Sequence, residues 1–134
     1  MKKLILVSII VFAVFACKKT ELSPEGPTDV RIRNLSDQPF TNVIVGTSEY
    51  TDDVYTFGTI EKYATSDYFR FKKAYPKAQI TATINGQIYT TGPVNYNSGM
   101  TYIGQAKITY EVYISNATNK TLSISNCSLD APLD

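Results

Sequence analysis

The chain has 134 residues, with 13 lysines and arginines against 12 aspartates and glutamates, ten tyrosines and no histidine. Without histidine the usual general base, the Ser-His-Asp arrangement and the commonest zinc ligand are all excluded. The near balance of charge leaves no polybasic field for nucleic acid, and the length suits one domain with its own core.

At the N-terminus Lys2 and Lys3 precede an apolar run that closes on Val14-Phe15-Ala16-Cys17. A basic start, a short apolar stretch and a small residue at the cut make up a secretory signal, and about a dozen apolar residues are too few to span a bilayer. The cysteine directly after the small residue makes this stretch resemble the lipobox of bacterial lipoproteins. That resemblance implies cleavage after residue 16, lipid on Cys17, and export to the cell envelope as a membrane-anchored protein. A triply acylated cysteine anchors stably, since two chains already suffice. Lys18 follows the cysteine where inner-membrane lipoproteins of enteric bacteria carry aspartate, so the analogy points to the outer membrane, with the leaflet open. Residues 18–27 contain Pro24, Gly26 and Pro27 and read as a flexible tether. The expected domains are thus a signal peptide at 1–16, the lipidated cysteine and tether at 17–27, and one β-domain at 28–134.

From residue 28 onward β-branched and aromatic residues fall in short runs at 29–35, 42–47, 54–60, 66–71, 78–85, 87–91, 101–115 and 121–126. Turn residues separate them, and no 3.6-residue apolar period is sustained, which is an all-β pattern. Parity is clearest late in the chain. Ile80, Ala82 and Ile84 alternate with polar neighbours, as do Ala106, Ile108, Tyr110, Val112 and Ile114, so one face packs and one meets water. Asn85-Gly86 is a hairpin signal, because a type I′ turn needs positive φ at both central positions. Gly104 is placed to bend or bulge the 101–115 run. Over 65–78 the aromatic density favours a strand, with a helix ending before Pro76 as the alternative. Residues 118–134 form a candidate edge-strand appendage. Seven or eight strands of this kind predict an antiparallel two-sheet β-sandwich of immunoglobulin-like architecture, with a closed barrel as the rival. The Cys-Trp-Cys core of antibody domains is absent, since the chain has no tryptophan.

The segments Ala16-Cys17-Lys18-Lys19, Phe40-Thr41-Asn42-Val43-Ile44-Val45, Phe57-Gly58-Thr59-Ile60, Ser66-Asp67-Tyr68 and Lys73-Ala74-Tyr75 resemble small lipoproteins of Bacteroidota. Those have an immunoglobulin-like sandwich domain of unassigned function, so the resemblance implies fold and location and carries no chemistry.

Three groups of residues are candidates for function. Glu49, Asp52 and Asp53 share an expected loop, where oxygen ligands could meet calcium; their spacing fits no EF-hand, and they read as a solvated acidic turn, so no metal is expected. Tyr50, Tyr55, Tyr63, Tyr68, Tyr75, Tyr96 and Tyr102 lie near strand ends or loops, where they serve as half-buried strand residues, stack on sugars or anchor a protein interface. Cys127 loses its partner thiol once Cys17 is lipidated, and reads as a small semi-buried residue of the last strand, with an intermolecular disulfide as the alternative. The sequence therefore predicts a non-enzymatic envelope lipoprotein that binds a protein or acts structurally, with glycan binding through loop tyrosines as the alternative. No catalytic residue and no cofactor are expected.

Overall fold

The computed structural model describes residues 22–97 and 99–134. The expected signal peptide at 1–16, Cys17 and residues 18–21 lie outside the described residues.

Eight strands and no helix make up the described chain: β1 (Thr28–Asn34), β2 (Phe40–Gly46), β3 (Val54–Ile60), β4 (Phe69–Phe71), β5 (Gln79–Ile84), β6 (Gln87–Thr90), β7 (Ala106–Asn116) and β8 (Thr121–Pro132). They form one nearly closed, barrel-like sheet in the order β3-β2-β5-β6-β8-β7-β1-β4. Two separate antiparallel sheets are the sequence expectation, and the hydrogen bonding differs in two respects. β1 runs parallel to β7, and a parallel bridge between Thr90 and Thr121 joins β6 to β8, so what would be two sheets becomes one mixed sheet.

The period-2 pattern places the core. Val30 and Ile32 of β1, Val43 and Val45 of β2, Ile80, Ala82 and Ile84 of β5, and Ile108, Tyr110 and Val112 of β7 are all buried on the inner face. Neighbouring strand residues point outward, which is why Arg31 and Arg33 reach Thr109 and Glu111 across the outer face of the β1/β7 ladder. Asn85 and Gly86 have φ of 51° and 75°, so the β5/β6 hairpin turns where its sequence requires. A bulge in β2 and β3 shifts the register between Val43 and Ile44, and Gly58 opposite Val43 takes φ of 77°, a conformation glycine adopts without strain.

The C-terminal segment is not an appendage. β8 pairs with β7 along nearly its whole length, meets β6 at the Thr90–Thr121 bridge, and buries Leu122 with the core, so the segment is built into the sheet. Residues 101–105 precede β7 as loop, with Gly104 at φ of 88° and its carbonyl accepting the Thr28 hydroxyl at 2.5 Å. Among the described residues no helix is long and apolar enough to cross a membrane.

Candidate functional site

The barrel is incompletely zipped in two places, and at its loop end a third cluster joins the chain entry to the domain. The first gap follows from unequal strand lengths. β6 has four residues and β8 has twelve, so past the Thr90–Thr121 bridge β8 continues without a neighbour on that side. A groove of about 650 Å³ lies there, between Leu122, Ser123 and Ile124 on β8 and Pro93, Val94 and Met100 of the following loop. Residues 122–129 carry neither charge nor proline, two of the devices with which proteins blunt an open strand edge.

The opposite wall is held in place. Thr91 donates its backbone N–H to the Ile80 carbonyl at 2.9 Å, and its hydroxyl accepts from Ile80 N–H and donates to the Ala78 carbonyl. Tyr96 stacks on Tyr75 with ring centroids 5.2 Å apart and donates to the Gly46 carbonyl at 3.1 Å. Burial pushes the Tyr96 phenol above its ordinary pKa, so it remains a donor. Ile103 N–H then closes the loop on the Ala74 carbonyl. The groove is therefore preformed rather than made by a free loop.

The second gap is the seam between β3 and β4, the two ends of the sheet order. No backbone ladder joins them among the described residues; side chains do. Tyr55 stacks on Phe69 with centroids 3.6 Å apart and planes 10° off parallel, while Phe57 meets Tyr55 edge-on at 4.9 Å and Phe71 meets Phe69 edge-on at 5.0 Å. Outside this stack a cleft of about 310 Å³ is lined by hydroxyls of Thr59, Thr65 and Ser66 together with Asp67 and Tyr68. Tyr68 donates to Asp130 at 2.7 Å beneath the Arg31 guanidinium, 4.7 Å from its ring. Burial alone would push the Asp130 carboxyl up, yet hydrogen bonds from Thr109 and Tyr68 and the charge of Arg31 hold it below the usual range. Burial, and then the hydrogen bond to Asp130, raises the Tyr68 phenol.

The third cluster centres on Lys73, which is buried. Its ammonium bonds Glu49 at 2.9 Å, lies 3.6 Å from Glu25, and faces the rings of Tyr75, Tyr50 and Tyr102 at 5.2, 5.7 and 5.8 Å. The hydrogen bond to Glu49 raises the Lys73 pKa and lowers that of Glu49, so both stay charged. Beside it Lys72 pairs with Asp52 at 2.7 Å, and Asp53, buried, accepts the Lys72 backbone N–H at 2.8 Å. Burial raises the Asp53 pKa even so. The three carboxylates of the predicted acidic turn therefore face three different groups, the Lys73 ammonium, the Lys72 ammonium and the Lys72 backbone N–H. No group of metal-ligating side chains occurs among the described residues.

No protein-family model and no curated protein matches this chain. Among solved structures it is similar to one described as an NMR structure of the protein from Eubacterium rectale, at 17% identity and a TM-score of 0.49, over 82% of this chain and 99% of that one.

The seven predicted tyrosines divide among these places. Tyr55 and Tyr68 lie at the seam, Tyr75 and Tyr96 brace the groove loop, Tyr50 and Tyr102 ring Lys73, and Tyr63 stands apart in the turn before β4, 63% exposed. Cys127 pairs in register with buried Tyr110 and packs against the core; burial pushes its thiol up to about 11. The groove itself has no sequence motif. It arises because β6 is short, and the only trace in the sequence is Gly92-Pro93, which ends that strand. Lys73 was likewise visible only as a cation among aromatics, since Glu49 lies 24 residues away.

Proposed function

We propose that this chain is a lipid-anchored, non-enzymatic module of the bacterial cell envelope that binds an extended segment of a protein partner along the free edge of β8. In this reading residues 1–16 are removed, Cys17 carries the lipid, and the exported domain is held at the outer membrane; the basic, apolar and Ala16-Cys17 pattern supports it. The observation that carries the binding reading is the single Thr90–Thr121 bridge, which leaves an uncharged strand edge beside a preformed groove. An extended peptide that adds to such an edge gains main-chain hydrogen bonds, and pockets beside it read alternate side chains. The same bridge divides the sheet into two four-stranded halves, which supports viewing the architecture as an immunoglobulin-like sandwich joined at one point.

The test is a crosslinking pull-down from intact cells, with Cys17→Ser as the mislocalised control and Val94→Glu to place a charge in the groove. A partner captured by the wild type and lost in both variants supports the reading. Capture undiminished in Val94→Glu removes the groove as the binding site, and retention of Cys17→Ser on washed membranes removes the lipid anchor.

A second reading, a glycan-binding accessory lipoprotein, is favoured by one observation: Tyr55 and Tyr68 are each 37% exposed at the hydroxyl-lined seam cleft. Aromatic faces beside hydroxyls suit sugar rings. Retention on polysaccharide gels that is lost in Tyr68→Ala would support it, and absence of retention would dismiss it.

A further inference from the structure

We propose that the loop end of the barrel, with Tyr50 and Tyr102 at its rim, rests on the surface of the lipid bilayer. The inference takes lipidation of Cys17, proposed above, as its starting point.

The length of chain outside the described fold sets the first constraint. Leu22 follows Cys17 by five peptide steps, which at most span about 17 Å. The second is where that chain enters. Gln105 Nε2 donates to the carbonyls of Leu22 and Ser23 at 3.1 and 2.8 Å, and Glu25 lies 3.6 Å from Lys73. Gly26 packs so closely under the Lys72 carbonyl that a Cβ there would come to 2.0 Å from its oxygen. The segment from Leu22 to Thr28 is thus fixed to the domain, and only residues 18–21 separate it from Cys17.

The third is the chemistry of the face. Tyr50, Tyr102 and Leu22 are 41%, 37% and 37% exposed there, while Lys72 and Lys73 are matched by Asp52, Glu49 and Glu25. A face with paired charges and exposed phenols suits the headgroup layer, where tyrosine is enriched because its ring is apolar and its hydroxyl stays wet. The opposite end behaves differently. Tyr63 precedes Ala64, whose carbonyl accepts the Asn34 N–H at the far end of β1, a seven-residue strand about 20 Å long.

The chain contains no tryptophan, so one substitution gives one reporter. The chain from Cys17 to Asp134, which contains the entire described fold, is prepared with Cys127→Ser and coupled through Cys17 to a maleimide lipid in phosphatidylcholine vesicles containing brominated phosphatidylcholine. Tyr50→Trp and Tyr102→Trp are expected to blue-shift and lose emission to the brominated lipid, and Tyr63→Trp to do neither. Thermal melting confirms folding of each, and Tyr102→Trp carries the test alone should Tyr50→Trp fold poorly. Equal quenching at Tyr63→Trp, or no quenching at either rim position, overturns the proposal. Because the lipid is supplied chemically, such a failure is separate from failure of the lipidation reading, which the washed-membrane test of Cys17→Ser reports.

Discussion

The two places where the sheet is not zipped by backbone hydrogen bonds are closed by different physics. At the seam, aromatics of β3 and β4 fill the gap in a stack that runs from part-exposed Tyr55 to fully buried Phe71. At the β6/β8 joint one bridge is all that connects the strands, and the space beyond it is left as a groove. A gap filled with ring area contributes to stability. A gap with an open strand edge beside a braced loop is left unfilled, and it is there that the proposed binding site falls. The contrast separates a filled discontinuity from an open one without any motif.

The largest expected effect tests the seam. Phe71→Ala removes a ring in contact with Phe69 and Phe57, and a buried Phe→Ala change costs about 3–5 kcal/mol. Chemical denaturation of this variant against Tyr55→Ala sharpens the point. Tyr55 is already partly in water, and its loss is expected to cost nearer the ~0.5–1.5 kcal/mol of an aromatic pair plus its remaining burial. Equal costs would mean that the stack, and not the core beneath it, closes the barrel.

Next comes the link between core and groove wall. The Tyr110 hydroxyl, deep in the core, donates to the Tyr75 carbonyl, and Tyr75 in turn supports Tyr96. Burial raises the Tyr110 phenol well above its ordinary pKa, so it is a permanent donor. Tyr110→Phe leaves that carbonyl unpaired at a cost of about 1–3 kcal/mol. The same measurement by urea titration is expected to show an unchanged slope, because the fold stays two-state and equally compact.

A smaller effect tests by pH the outer face of the β1/β7/β8 ladder, which Tyr68 joins to the seam cleft. Asp130 has a folded pKa below its unfolded value, so it contributes stability above about pH 3.9, and that contribution fades as pH falls through the folded pKa. Asp130→Asn is therefore expected to flatten the acid limb of a melting-temperature profile, whereas wild type continues to lose stability there. Cys127 supplies a kinetic counterpart. With its thiol pushed up to about 11, it is expected to alkylate on the order of 100-fold more slowly than a free cysteine at neutral pH. A rate like that of a free thiol would place it outside the core layer.

Much of the strand plan was legible because alternation is a local signal. β3 was bounded correctly at both ends, the β5/β6 hairpin was set by Asn85-Gly86, and the buried faces of β5 and β7 followed from parity. Sheet closure was not legible. That β1 pairs parallel with β7 depends on contacts between residues some 80 apart, and that β8 joins β6 depends on one bridge between Thr90 and Thr121, neither of which period-2 patterning encodes. The run at 66–71 shortened to three residues of strand because Ser66 uses its hydroxyl and backbone to bond Ile32 instead of extending the ladder. Candidate residues behaved likewise. The tyrosines were found by type and sorted only by fold, while the acidic turn dissolved into separate pairings with Lys72 and Lys73.

The smallest expected stability change is the one that decides the comparison. Val94 is half-buried in the loop wall, where no strand hydrogen bond depends on it. If the joint is a binding groove, Val94→Glu shifts unfolding by no more than about 0.5 kcal/mol, as for a surface position, while partner capture is lost. If the joint were instead a closure like the seam, the buried charge would cost several kcal/mol and the protein would melt early whether or not a partner were present. Melting temperature and crosslinking yield, measured on the same preparation, therefore move in opposite ways under the two descriptions. The added carboxylate acts because an occupant of the groove would have to strip its hydration, so Val94→Thr, similar in shape and uncharged, is expected to restore much of the capture.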